Sequence, residues 1–348
     1  MGVAVPAEEL DGLCLHGPVV LFLGVSTAAS AVHRYFPRWA ASFPEPVRLI
    51  AVDLPVPAPP PAYEDLLDWM ARHQQVRGMV ITSHKIDLFR AGSGRLAAAD
   101  RLSATLAEVS AVRRTPSGDL LAYATDPLSA RAAAAELNLG TSGEIICFGA
   151  GGAALALVAA LTLPGTELTP GTRSAPDARR CVPGVNAAGG PLTEGEVHAT
   201  DVRPGRLAHL MHVAARLGVA SRVVPHLQDG TSGNTGLLAG HPDACLVVNA
   251  TGLGKDGPGS PLADEAVFPR HCVVWDMNYR GPLTFLQQAQ VQRDARGLQI
   301  ADGWRFFLHG WTNALARILD VPPGDPALAD ILDTQRTNSR RGSITQGG

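Results

Sequence analysis
The sequence predicts an α/β protein of two domains with mainly parallel sheets, and three observations predict it. First, 348 residues exceed one ordinary core and suit two domains. Second, short apolar runs alternate with stretches of helical period from Val19 to Leu319, the pattern of strands joined by crossover helices. Third, the alternation restarts near the middle at a glycine-rich turn, Gly149 to Ala156, set between an apolar run and a helix.

The elements follow in order. Val19 to Val25 is an apolar run ending beside glycine, hence a buried strand. Ser30 to Phe43 has helical period. Val47 to Pro55 is a second strand, stopped by the prolines that follow it. Tyr63 to Arg77 fits a helix, Gly78 to Thr82 a third strand, and Leu96 to Glu108 a further helix. Leu120 onward is a strand ending on Thr125-Asp126-Pro127, and Ser129 to Leu139 a connecting helix. The second half then runs strand, glycine turn, helix (EIICFGAGGAALALVAALTL) and strand, acidic turn, helix (EVHATDVRPGRLAHLMHVAARLG). Three more strands follow in ASRVVPHL, ACLVVNATGLG and CVVWDMNY, and Asp302 to Leu319 is helical. Pro164 to Glu194 is rich in proline and glycine without period, an inserted loop, and the tail after Arg336 is polar and expected to be disordered. The expected division is 1–128, completed by 302–335, for one α/β domain, and 129–301 for a second, Rossmann-type domain.

Bulk composition excludes several classes. Net charge is −3, with 46% hydrophobic and 18% charged residues, so no field draws nucleic acid or an anionic membrane. Glu8, Glu9 and Asp11 precede the first apolar run, where a signal peptide wants positive charge. Ile145 to Leu163 is long enough for a membrane span, but Gly149, Gly151 and Gly152 interrupt it where a strand-to-helix turn needs them. The five cysteines are scattered without CxxC spacing, which fits reduced thiols and a cytoplasmic protein. No metal site is expected: His209 and His212 are i, i+3 on one helix, with no third ligand placed near them.

The turn GAGGAALA carries the clearest chemistry. Glycine lets backbone approach a pyrophosphate, and the helix N-terminus offers unpaired N–H groups and a positive dipole end. Tight helix–strand packing is the alternative use of the same glycines. The next strand ends at Asp201, about fifty residues on, the excess over a usual fingerprint being the inserted loop. A carboxylate there accepts hydrogen bonds from a ribose diol and favours NAD. Arg203, two residues later, would instead pair with the 2′-phosphate of NADP. A helix N-cap aspartate followed by a solvated arginine is the structural alternative.

Several segments together resemble the shikimate/quinate dehydrogenase family, over about residues 19 to 319 apart from the insertion. ICFGAGGAALALVAAL resembles its glycine turn, VVNATGLG its N-A-T-x-x-G strand end, and VWDMNYRGPLTFLQQA its D-x-x-Y-x-P-x-x-T stretch. DGWRFFLHGWTNALARIL resembles its final helix, YATD its N-T-D motif, and VITSHK its V-T-x-P-x-K motif with the lysine in register. The resemblance implies an NAD(P)-dependent oxidoreductase that interconverts a secondary alcohol and a ketone. It assigns catalysis to Lys85 and Asp126, the lysine moving the proton at oxygen and the carboxylate holding it. Cofactor binding falls to Gly149, Ala150, Gly151, Gly152, Ala153, Asp201, Arg203, Asn249, Ala250, Thr251, Gly252, Asn278 and Gly303. Substrate binding falls to Ser26, Thr27, Ser30, Thr82, Arg113, Tyr279, His309 and Trp311.

The pocket departs from the family pattern. Arg113 stands near a family asparagine, Gly310 at a family glutamine, and Ser83 at the family proline. Arg113 either serves an anionic group or points to solvent. The implied substrate is a small polar, cyclic hydroxy acid, and a homodimer stays open. The alternatives are a nucleotide-binding regulatory protein without turnover, and a related dehydrogenase acting on an imine or a one-carbon folate. Lys85 is one of only two lysines, the other being Lys255; its position, not its rarity, singles it out, because arginine does not give up its proton.

Overall fold
The computed structural model describes residues 4–138, 143–168, 190–255, 257–322 and 324–336. Its first half comprises β1 (Ala4–Pro6), β2 (Val19–Gly24), α1 (Val32–Ala41), β3 (Arg48–Asp53), α2 (Pro60–Arg72) and β4 (Val76–Ile81). It continues with α3 (Lys85–Ala91), β5 (Leu96–Ala99), α4 (Arg101–Leu106), β6 (Ala111–Arg114), β7 (Leu120–Tyr123) and α5 (Asp126–Glu136). The second half comprises β8 (Ile145–Phe148), α6 (Gly152–Thr162), α7 (Gly165–Leu168), β9 (Val197–Asp201), α8 (Pro204–Arg216), β10 (Val223–Leu227) and α9 (Thr231–Gly240). β11 (Leu246–Asn249), β12 (Val273–Asp276), α10 (Thr284–Gln290), α11 (Arg293–Arg296), β13 (Gln299–Ala301), α12 (Trp304–Ile318) and α13 (Pro326–Leu332) complete it.

Among the described residues the strands form two sheets, in the orders β1-β3-β2-β4-β6-β7-β5 and β10-β9-β8-β11-β12-β13. The second is parallel throughout. The first is parallel except where β6 runs antiparallel to β4 and β7. Strands covered on both faces need continuous apolar sequence, and β2 and β8 are buried at every position. One core, with Val20, Phe36, Trp39, Leu308 and Trp311, lies between the first sheet and helices α1 and α12. Another packs Ile145, Leu155, Val158, Leu210 and Leu246 between the second sheet and α6 and α8.

Three expectations need correction. Leu96 to Glu108 is not one helix. Leu96–Ala99 pairs with β7, and the Asp100 carboxylate then accepts the Ser103 amide at 2.7 Å and starts α4. Ala111–Arg114 is a strand that the sequence reading missed. The expected loop 164–194 contains the short helix α7; its centre, 169–189, and the tail 337–348 lie outside the described residues. Among the described residues no helix is long and apolar enough to cross a membrane. Cys147 and Cys272 are buried thiols whose burial pushes each up to about 12.

Candidate active site
The carboxyl ends of β2, β4, β8 and β11 open into one cleft of about 600 Å³ between the sheets, walled by α12. Ligands of open α/β sheets sit at such ends. Lys85 begins α3 just past the end of β4, and Asp126 begins α5. They form a salt bridge with only 13% and 9% of their side chains exposed. The Ser110 hydroxyl sets the approach to Asp126: it accepts the Thr125 amide at 2.7 Å and lies 3.0 Å from the Thr125 hydroxyl. His84, beside Lys85, is fully buried and turned away. Its Nε2–H donates to the Gly24 carbonyl at 3.2 Å, so Nδ1 accepts from the Tyr63 hydroxyl at 2.8 Å. Burial holds this imidazole neutral, a strut under the lysine.

Glu108 is a residue that sequence reasoning missed. It has no exposed surface, and neither carboxylate oxygen has a hydrogen-bond partner. The Val109 amide beside it donates to the Lys85 carbonyl at 3.2 Å. A Cβ at Gly152 would stand 2.9 Å from Glu108 Oε2 and 3.5 Å from Lys85 Cδ, so Gly152 makes room for both groups. Burial pulls the Lys85 ammonium down to about 8, opposed by the Glu108 carboxylate and aided by Lys255. Burial likewise pushes Glu108 up to about 7, opposed by Lys85. Burial thus moves both groups toward neutrality, one from above and one from below. No sequence signal marks Glu108; burial of a carboxylate is a tertiary outcome.

The nucleotide end is built on α6. Gly149 takes φ +106° with a Cβ position 2.9 Å from the Ala250 carbonyl, a place only glycine fills. Gly151 has open space where a side chain would be, and with Gly152 and Ala153 it lines the cleft. This turn and the positive end of the 11-residue α6 fit a pyrophosphate. Asp201 does not face the cleft. Its carboxylate accepts the Ala150 amide at 3.0 Å and the Arg203 amide at 2.9 Å, so both oxygens are engaged within the turn. The cleft is lined there by Arg203 and Arg206. Ala150, buried behind the turn, does not line it.

Opposite, Asn249 is fully buried and acts as an organiser. Its Oδ1 accepts from the Thr251 amide at 3.0 Å and hydroxyl at 2.6 Å, while its Nδ2 donates to Asp276 at 3.2 Å. Asn278 donates to the Thr251 and Leu253 carbonyls at 3.1 and 3.2 Å. These bonds present Ala250, Thr251, Gly252, Asn278 and Gly303 to the cleft.

A side pocket holds Ser26, Thr27, Ser30, Thr82, Tyr279 and Trp311 together, with Lys255 and Arg280, two cations not expected from sequence. Ser30 Oγ and Tyr279 Oη share a hydrogen bond of 3.1 Å, and Arg280 donates to Ser26 Oγ at 3.4 Å. The Thr82 hydroxyl donates to the Leu23 carbonyl, and the Thr27 hydroxyl is buried without a hydrogen-bond partner. Two expected substrate residues are not brought here. β6 runs antiparallel and carries Arg113 to its far end, opposite Gly78, where it pairs with Asp320 at 2.7 Å. His309 is buried on the other side of α12, 2.8 Å from Glu136. Gly310 does line the cleft, with nothing within 4 Å of its Cβ position.

No protein-family model matches the chain. A shikimate dehydrogenase (NADP(+)) of Caulobacter vibrioides is 35% identical over 111 residues, 29% of this chain and 38% of that protein. One of Psychrobacter arcticus is 36% identical over 115 residues, 33% and 36% of the two. The chain thus matches well under half the length of these curated relatives. The fold is shared much further. Shikimate 5-dehydrogenase of Thermus thermophilus, solved with NADP(H) and shikimate, aligns over 90% of this chain and 98% of its own, at TM-score 0.58 and 23% identity. Quinate dehydrogenase of Corynebacterium glutamicum, solved with NAD, aligns over 91% and 99%, at 0.60 and 17%. The 5-ketofructose reductase of a Gluconobacter strain aligns over 92% and 99%, at 0.57 and 14%. The chain thus shares a sequence segment with shikimate dehydrogenases and the two-domain fold of shikimate and quinate dehydrogenase structures.

Proposed function
We propose that the protein is an NADP(H)-dependent dehydrogenase that interconverts a secondary alcohol and a ketone on a small, polar, anionic, cyclic hydroxy acid. The observation that carries this reading is the Lys85–Asp126 ion pair, sited in the cleft between the glycine turn and the side pocket. The first sheet with α12 holds the substrate, and the second sheet holds the dinucleotide. When bound, the nicotinamide supplies or accepts the hydride. Lys85 Nζ, as ammonium, gives its proton to the carbonyl oxygen during reduction, and as amine takes the hydroxyl proton during oxidation. Asp126 keeps Nζ at that oxygen. Lys255 and Arg280 suit a substrate carboxylate, with Ser26 and Ser30 as further donors. Arg203 and Arg206 support NADP over NAD, because Asp201 is already engaged by backbone amides.

Absorbance at the reduced-nicotinamide band, with NADP and NAD each paired with shikimate, quinate, their dehydro forms and amino analogues, tests the reading. Turnover is expected with NADP(H). Lys85→Ala is expected to lower kcat about 10²-fold or more while cofactor binding persists. Joint replacement of Arg203 and Arg206 by alanine is expected to raise KM for NADPH about tenfold and leave NADH unaffected. If no hydroxy acid reacts with either cofactor, the enzyme reading falls. Unchanged turnover in Lys85→Ala removes the lysine from the mechanism.

A further inference from the structure
A cluster of histidines and carboxylates lies at the opposite end of the second sheet from the cleft, where none of the chemistry above takes place. Glu144 immediately precedes β8, His198 is the second residue of β9, and His241 caps the C-terminus of α9. One ligating atom from each of these three lies within 4.8 Å of the others. Glu196 Oε2 is 3.7 Å from His198 Nε2. His226 of β10 is stacked on His198. We propose that Glu144, His198 and His241 form a binding site for a late first-row divalent cation of the zinc type, with Glu196 available as a fourth ligand.

Two observations carry this. The β8 residue paired with His198 is Ile146, and Val247 lies beyond it on β11; both are fully buried apolar residues. His198 is itself 6% exposed, and its Nε2 has no hydrogen-bond partner. A buried polar atom left without a partner is costly, and a metal bond would satisfy it. Next, the partner bonds fix the tautomer of His241 and are compatible with a ligating tautomer of His198. His241 Nδ1–H donates to the Leu237 carbonyl at 2.8 Å, which leaves its Nε2 lone pair bare. His198 Nδ1 is 3.1 Å from His226 Nε2, and donation from His198 leaves its own Nε2 bare. An imidazole whose second nitrogen donates to a carbonyl or another acceptor is the usual arrangement of a metal ligand. Two neutral imidazoles and one or two carboxylates match zinc and its neighbours rather than calcium or magnesium, which take oxygen ligands. Zinc bonds of about 2.0–2.1 Å place tetrahedral neighbours about 3.3 Å apart, so the cluster closes modestly on the ion. The ion would tie the entry of β8 to β9 and to the end of α9.

Full-length protein, stripped with chelator and desalted, would be loaded with zinc and desalted again. About one equivalent is expected to remain bound, and cobalt(II) in its place is expected to give the visible absorption of a tetrahedral centre. Zinc at about 100-fold its dissociation constant is expected to raise Tm by about 5 °C. His198→Ala is expected to abolish retention and the cobalt spectrum. Should that buried variant fail to fold, the half-buried pair Glu144→Ala/His241→Ala supplies the same comparison, with helicity checked by circular dichroism. Turnover is expected to be the same with and without zinc. Failure of the wild-type chain to retain zinc, or equal retention by the folded variants, would overturn the site.

Discussion

At the scale of single residues, the proposed proton transfer depends on Lys85 and on two charges that bear on it, the buried Glu108 and the half-buried Lys255. Lys85 titrates near about 8 because burial opposes its charge. Glu108 restores part of that charge, and Lys255 takes part of it away. Glu108 is therefore a positioning residue: it touches no cleft surface and acts through the lysine. On the proposed mechanism, oxidation uses Lys85 as the amine, so kcat should rise with pH through about 8. In reduction it is the ammonium, and kcat should fall across the same range. Glu108→Gln removes the carboxylate that favours ammonium, so the midpoint moves to lower pH. Lys255→Ala removes a repelling ammonium, so the midpoint moves to higher pH. A one-unit displacement changes the rate on the falling limb about tenfold. The profile of kcat, rather than of KM, is the measurement, because Lys255 also lines the substrate pocket. Shifts in the same direction for both variants would contradict this electrostatic picture.

At the scale of elements, α12 has to start very near the end of β12. A Cβ on Gly303 would lie 2.1 Å from the Met277 carbonyl oxygen, a backbone atom that cannot swing aside. Gly303→Ala must therefore push the helix start outward, at a cost of about 1–3 kcal/mol, the range of overpacked sites. Thermal melts should show a loss of several degrees. KM for cofactor should rise too, since Gly303 lines the cleft beside Asn278; an unchanged melt would show that the contact relaxes freely. Position 303 also illustrates what the sequence makes legible. Strand ends and glycine turns declare themselves through apolar runs stopped by Gly, Pro and Asp, and so β2, β3, β4, β8 and α6 were foreseeable. β5 and β6 are four residues each, too short for a period. The two readings of Arg113 stay open in the sequence because the direction of β6 is set by its pairing, which sequence does not show. His309 was misjudged because the packing of α5 against α12 decides which face of that helix meets the cleft. Lys255 and Arg280 reach the side pocket through loop geometry, for which no spacing rule exists.

At the scale of the whole molecule, two helices join the halves. α5 leaves the first sheet and leads to the second; α12 follows the last strand of the second sheet and packs back on the first. They pack together, and Glu136 at the end of α5 clamps them. Its carboxylate accepts two hydrogen bonds from Arg305, at 2.6 and 2.7 Å, and one from His309 at 2.8 Å. Burial alone would raise Glu136, but the His309 and Arg305 bonds prevail and hold it down at about 2. A carboxylate depressed in the folded state adds stability above its ordinary value of 4.5, and that stability is lost as pH falls toward 2. Glu136 and Arg305 are more than a third exposed, so solvent screening limits the clamp to about 1 kcal/mol. Glu136→Gln should therefore lower Tm at pH 7 by about 2 °C. The gap from wild type should narrow steadily from pH 5 toward pH 2, because there the unfolded chain binds a proton that folding has to expel to form the clamp. Turnover at 25 °C should hold, since Glu136 lies outside the cleft. A gap that stays constant across that pH range would mean that packing, not charge, fastens α5 to α12.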